Sequence, residues 1–206
     1  MQNPDIAVVI LNWNGKHFLE QFLPEVVAHS KPFRVVVADN ASTDDSVAWT
    51  REHFPELEIV VNASNGGFAK GYNDALKQVQ ADYYVLLNSD VEVSENWLLP
   101  LVETMKNERV AGCQPKVHSF KNRDTFEHAG ASGGFLDKYH YPFCRGRIMD
   151  HVEVDEGQYD YPSRIFWATG ACLMIRSKTY WEAGGLDERF FAHMEEIDLC
   201  WRIQRM

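Results

Sequence analysis

Apolar positions along this chain fall into two kinds of run that alternate. Residues 6–11 (IAVVIL) are apolar without a break, as expected of a parallel strand covered on both faces, where no side chain meets water. Residues 15–29 follow with Phe18, Leu19, Phe22, Leu23, Val26 and Val27 spaced along one helix face, and Pro32 stops them. The alternation continues with a strand at 35–38 and a helix at 43–54, begun by Ser42 or Thr43 as the capping residue. A strand at 57–61, a helix at 68–79, a strand at 82–87 and a helix at 97–106 come next, leading into an apolar stretch at 110–117. Strands separated by helices require crossover connections, so the pattern predicts an α/β fold with a mostly parallel central sheet flanked by helices.

The pattern fails between 119 and 164, where Gly, Tyr, His and charged residues (HAGASGGFLDKYHYPFCRGR) follow neither a 3.6 nor a 2 period. An irregular excursion containing a hairpin is the expectation, and a stretch of that length inside a compact domain is usually functional. Regularity returns with a strand at 165–175 that includes Gly170, and a short helix at 177–183 ended by Gly184-Gly185. The last helix, 194–204, has Met194, Ile197, Cys200 and Trp201 on one side. The chain ends within it, and no internal repeat or low-complexity segment is present.

Composition narrows the function. The 206 residues carry 20 Lys and Arg against 30 Asp and Glu, a net charge of −10, so sequence-independent nucleic-acid binding, which needs clustered cations, is disfavoured. An apolar fraction of 45% supplies a core, while no apolar run approaches the roughly 20 residues of a membrane span. The N-terminus lacks the pattern of a signal peptide. Cys113, Cys144, Cys172 and Cys200 are scattered without a CxxC pair, so they read as reduced, mostly buried thiols of a cytoplasmic protein.

In an open parallel sheet, ligands bind where the loops at the carboxyl ends of the strands converge. Those ends here are Asn12-Trp13-Asn14-Gly15, Asp39-Asn40-Ala41-Ser42, Asn65-Gly66-Gly67 and Asn88-Ser89-Asp90. Each is compact and polar. Taken singly, each is also accounted for as a turn or a cap; four together point to a ligand. The first βα turn has a single glycine and NGGFAKG lacks a GK[ST] ending, which disfavours dinucleotide and P-loop sites. A carboxylate at a strand end, as at Asp90, suits a hard divalent cation that shares its coordination with substrate phosphates.

The ordered series VVILNWNG, VVVADNASTDDS, NGGFAKGYNDAL, VLLNSDVEV, TGACLMIR and GGLDERFFAHMEEIDLCWR resembles glycosyltransferase family 2, the inverting enzymes with the GT-A fold, and within it bacterial rhamnosyltransferase-like members. The resemblance implies one catalytic domain over 1–206, with a nucleotide-sugar donor half at 1–117 and an acceptor half at 118–206. It also implies that the domain normally continues past this last helix and gains a metal-binding histidine there. Asn12 and Asn14 would lie in the first donor loop, Asp39 and Asn40 at the nucleotide base, and Gly66, Gly67, Phe68 and Asn73 under the ribose and diphosphate. Asn88-Ser89-Asp90 takes the place of the family's DXD, with Asp90 the residue that reaches Mn²⁺ or Mg²⁺ and Asn88 replacing its first acid.

On the acceptor side, Gly170 would line the sugar pocket, and 190–198 matches the stretch that ends in ED-x-D. The second acid of that pattern is the catalytic base, here Glu196 preceded by Glu195, which keeps the chemistry with one methylene more. Ordinary helix physics also accounts for these acids, since acids in a first turn favour the helix dipole and Asp198 can pair with Arg202. Trp167, His193 and the Tyr139-His140-Tyr141 group are candidates for stacking on a sugar, though scattered aromatics are more often core.

The activity so implied is inverting transfer of a sugar from a UDP- or dTDP-sugar to a hydroxyl of a glycan or lipid-linked acceptor in cell-surface polysaccharide synthesis, at the inner face of the membrane. Two alternatives stay open. One is a sugar nucleotidyltransferase, against which stands the single glycine and single lysine of Asn12-Trp13-Asn14-Gly15-Lys16. The other is a non-catalytic sugar-nucleotide-binding domain, left open by Asn88 and Glu196. Donor base, sugar and acceptor are not written in the residues.

Overall fold

The computed structural model describes residues 4–128 and 130–206. Its first half is the predicted alternation: β1 (Ile6–Asn12), α1 (Lys16–His29), β2 (Arg34–Asp39), α2 (Ser46–His53), β3 (Glu58–Val61), α3 (Gly67–Leu76), β4 (Tyr83–Asn88) and α4 (Leu98–Met105). Then come β5 (Gly112–Cys113), β6 (Gly134–Leu136), β7 (Pro142–Cys144), β8 (Arg147–Ile148), β9 (His151–Val152), β10 (Cys172–Arg176), α5 (Ser177–Glu182), a 3-10 turn (Glu188–Phe190) and α6 (Glu195–Gln204).

The central sheet has the order β3-β2-β1-β4-β10-β5. Its first four strands run parallel and β10 is antiparallel to both β4 and β5. The unbroken apolar runs are explained by the two cores they feed. Along β1, Ala7 and Val9 enter one cluster with Tyr72 and Leu76 of α3, Tyr180 of α5 and Leu199 of α6. Ile6, Val8 and Ile10 enter the other, with Leu19 and Leu23 of α1 and Leu98 and Leu101 of α4. Successive side chains of a strand point to opposite faces, so a strand with helices on both sides needs apolar residues at every position. Among the described residues no helix is long and apolar enough to cross a membrane. All four cysteines are free.

Three expectations are corrected. The 119–164 excursion holds a four-stranded antiparallel sheet, β6-β7-β8-β9, rather than a lone hairpin in irregular chain. The strand predicted at 165–175 forms only from Cys172; upstream, Trp167 makes an isolated bridge with Gly134. Helix α2 starts at Ser46 rather than 43, because Ser42 and Thr43 are engaged with the β1 and β2 ends. Asp44 instead accepts from Ser46 N at 3.0 Å.

The segment between α5 and α6 is tied to α3 by one buried amide. Asn73 donates from Nδ2 to Leu186 O at 2.8 Å, and its Oδ1 accepts from Tyr180 Oη at 2.7 Å and Leu186 N at 3.1 Å. Removing a partner from a buried hydrogen bond leaves the remaining group to bear its own desolvation cost. Asn73→Ala strands three polar groups at once and is expected to destabilise the fold by about 2–4 kcal/mol, whereas Tyr180→Phe leaves Asn73 Oδ1 with a partner and costs about 1 kcal/mol. Denaturant melts of the two variants check the ratio.

Candidate active site

The ends of β1 and β2 are cross-linked by polar side chains. Asp39 is buried, 1% exposed, and both its oxygens are used: Oδ2 accepts from Asn12 Nδ2 at 3.0 Å and Oδ1 from Ser42 N at 2.8 Å. Ser42 Oγ accepts from Asn14 N at 2.9 Å, and Asn14 Oδ1 accepts from Thr43 N at 2.7 Å. Asn14 and Ala41 both have positive φ, 49° and 60°; asparagine tolerates that conformation well, while at alanine it is uncommon and is held by the surrounding bonds. Asn12 Oδ1 is buried with no partner among the described residues.

A second set joins β2 to α3. Asn40 donates to Asn65 Oδ1 at 2.9 Å and Gly67 O at 3.1 Å, and accepts from Asn62 Nδ2 at 3.1 Å. Asn65 Oδ1 also takes the Gly67 N–H at 2.9 Å. Asn62 was not singled out in the sequence, although it directly follows β3 and the strand-end rule would have found it. Gly67 has φ +86°, and a Cβ there would stand 2.6 Å from the Phe191 carbonyl oxygen and from its ring. Only glycine fits that approach.

Phe191 connects this loop to the acids. Its carbonyl accepts from Phe68 N at 2.7 Å and Ala69 N at 3.3 Å, so it satisfies two of the otherwise unpaired donors at the start of α3. The backbone then passes through His193 (φ 72°) and Met194 (φ 71°) into the first turn of α6, which holds Glu195, Glu196 and Asp198. Asp198 pairs with Arg202 at 2.7 Å, and Arg202 Nη2 donates to Gly185 O at 2.8 Å. That acid is therefore part of the frame.

Glu195 is 4% exposed and Glu196 half-buried, and each has an Oε2 buried with no partner among the described residues. Burial, then the charge of Glu195, push the Glu196 carboxyl up to about 7, against the opposing pull of the Glu196 and Ile197 N–H groups and of His193. Burial raises Glu195 as well. His193 itself is exposed. A Cβ on Gly170 would lie 3.5 Å from Phe68 Cζ and 4.0 Å from Glu196 Cδ, so Gly170, Phe68 and Glu196 bound one small space.

At the end of β4, Asn88 N donates to Ala171 O at 3.0 Å. Asp90 is exposed, and neither a hydrogen bond nor an ion pair engages its carboxylate among the described residues. No group of three or more His, Cys, Asp or Glu able to hold a metal occurs among them. A single unengaged carboxylate does fit an ion that keeps waters and takes other ligands from phosphate oxygens.

Two candidates are placed differently from expectation. Asn73 has its amide committed to Leu186 and Tyr180, which holds the 183–187 turn rather than leaving the amide free for a ligand. Trp167 is 6% exposed and its only polar atom donates to Phe135 O at 3.0 Å, so its ring packs under the small sheet and is closed to a sugar. Tyr139 and Tyr141 are exposed, while the His140 ring lies 5.3 Å from that of Trp201.

Comparison with known proteins identifies the family and the fold. The family model described as Glycosyl transferase family 2 matches residues 7–182. The N-acetylglucosaminyl-diphospho-decaprenol L-rhamnosyltransferase of Mycobacterium tuberculosis is 22% identical over 96% of this chain and 70% of its own length. The rhamnosyltransferase WbbL of Escherichia coli is 18% identical over 96% and 76%. Among solved structures, the mannosyltransferase PcManGT from Pyrobaculum calidifontis in complex with GDP-Man and Mn²⁺ aligns with a TM-score of 0.66 at 17% identity, over 98% of this chain and 52% of that one. GalNAc-T7 with UDP, GalNAc and Mn²⁺ aligns with a TM-score of 0.72 at 14% identity, over 97% and 40%. The chain thus spans 52% and 40% of the length of these two solved chains. With the family model covering most of the sequence and GT-A glycosyltransferases sharing its sheet, the chain belongs to glycosyl transferase family 2 and has the GT-A fold.

Proposed function

We propose that residues 1–206 form a GT-A catalytic domain, with a donor half at 1–117 and an acceptor half at 118–206. It moves a sugar from a UDP- or dTDP-sugar to a hydroxyl of a glycan or lipid-linked acceptor, with inversion, in cell-surface polysaccharide synthesis at the cytoplasmic face of the membrane. The observation that carries this reading is Glu196: a carboxylate with one buried oxygen lacking a partner, poised near 7, at the helix start beside the strand-end loops. An unpartnered buried acceptor atom calls for a donor, and a substrate hydroxyl is one.

In this scheme Glu196 takes the proton of the acceptor hydroxyl as its oxygen attacks the anomeric carbon. The bond to the diphosphate breaks on the opposite face, and the nucleoside diphosphate departs with the electron pair. The Asn12, Asn14, Asp39 and Asn40 cluster would hold the nucleoside, and Gly66 and Gly67 would let the diphosphate approach main chain. Asp90 would hold Mn²⁺ or Mg²⁺ together with donor phosphates, and the chemistry such an ion supplies is neutralisation of charge on the leaving group. Glu195 places a second acid beside the base, and its charge raises the proton affinity of Glu196 further.

Glu196→Gln keeps the shape and removes the base. Sugar transfer is expected to fall by about 10²–10⁴-fold, while donor affinity by calorimetry stays within about threefold; transfer at the wild-type rate overturns the reading. The kcat/KM profile of the wild type is expected to rise with pH through about 7, tenfold per unit below it, since only the ionised base accepts a proton. The linked effect on stability has the opposite sign. The folded state holds the Glu196 proton to higher pH than the unfolded chain, so this group's contribution is full below the ordinary glutamate value of about 4.5 and is lost as pH rises to about 7. Glu196→Gln should flatten that part of the stability curve. For Asp90→Ala, donor binding is expected to lose its dependence on added Mn²⁺, and calorimetry with and without EDTA checks it.

A further inference from the structure

Phe68 sits at the start of α3, among residues that the family resemblance gives to the donor, and its ring packs between Tyr72 and the space over Gly170. It lies against Tyr72, ring centroids 4.8 Å apart and nearly perpendicular, and its tip points at the space over Gly170. One methyl group on Gly170 would touch both Phe68, at 3.5 and 3.6 Å, and the Glu196 carboxyl carbon, at 4.0 Å. No polar side chain is among the three nearest atoms there except Glu196 itself. The Phe68 N–H is committed to Phe191 O, which fixes the ring's origin to the same loop that leads into α6. The backbone at Phe68 and the loop that carries Glu196 are thereby held to one another.

We propose that Phe68 is a positioning residue for the base: its ring forms the apolar wall that keeps water off the Glu196 carboxylate and leaves the gap over Gly170 as the approach for the acceptor hydroxyl. The proposal rests on the reading of Glu196 as base. An aromatic edge gives water no hydrogen-bonding partner, so a gap lined by it does not hold a water unless polar groups surround it. The ionised carboxylate is then poorly solvated and keeps its proton to higher pH. The charged and titratable groups that bear on Glu196 are Glu195 and Cys200 on α6 and His193 on the preceding loop. Phe68 from α3 and Gly170 from the 169–171 segment bring no charge, so removing the ring changes solvation and leaves those pairwise interactions in place.

The test is a ¹³C carboxyl NMR titration of Glu196, assigned by the signal lost in Glu196→Gln, in the wild type, Phe68→Leu and Phe68→Ala. It reads the carboxyl whether or not the protein turns over. Phe68→Ala is expected to lower the Glu196 midpoint by about one pH unit, a tenfold change in its proton equilibrium, and to move the acid limb of the transfer profile with it. Phe68→Leu, which refills most of the space, should titrate close to the wild type and shows that the site is still folded. Donor affinity should stay within about threefold in both. A Phe68→Ala midpoint equal to that of the wild type overturns the wall, as does a loss that shows only as weaker donor binding. Either result leaves Glu196 as the base, whereas wild-type transfer by Glu196→Gln removes the base whatever Phe68 does, so the two failures are distinguishable.

Discussion

The contact on which the site depends is the Phe191 carbonyl lodged on the first N–H groups of α3, at 2.7 and 3.3 Å. A helix start has donors that its own backbone cannot satisfy, and here a chain segment more than a hundred residues away supplies the acceptor. The Gly67 approach and the Asn73 clamp on Leu186 hold the two ends of that segment against the same helix. The strand-end loops and the acid-bearing helix are thereby joined directly. Their separation is fixed by short hydrogen bonds rather than by the long, irregular connection between them in sequence.

That attachment has an electrostatic consequence. Acids in a helix's first turn are ordinarily favoured as anions by the helix dipole and the free N–H groups. Glu196 receives that help from its own N–H and that of Ile197, and burial beside Glu195 still outweighs it. An acid kept near neutrality at a strand-end crevice is suited to exchanging protons with a substrate. Asp198, two residues on, is neutralised by Arg202 and anchors the helix to the Gly185 turn, so neighbouring acids of one turn serve different ends by where they point.

Much of this was legible in the sequence because the signals are local. Each β strand of the parallel half is long enough for its apolar run to stand out, and the polar tripeptides at their ends follow directly from the topology. Strands β6 to β9 have two or three residues each, too few for a period of two to be counted, and positive-φ residues such as His140 and Met149 interrupt them. The roles of Asn73 and Trp167 were hidden for another reason: their partners, Leu186 and Phe135, are 113 and 32 residues away. No spacing rule reaches that far. Ser42 misled as a helix cap because its hydroxyl is claimed by Asn14, a tertiary demand that outweighs a local preference.

The central claim is that Glu196 meets the acceptor hydroxyl. A crystal structure of the complex with an unreactive donor analogue and an acceptor tests it most directly. The account predicts the attacking oxygen about 2.6–3.2 Å from a Glu196 carboxylate oxygen, over Gly170 and against the edge of Phe68. An acceptor hydroxyl bonded instead to Asp198 or Asp90, with Glu196 still unpartnered, would contradict it.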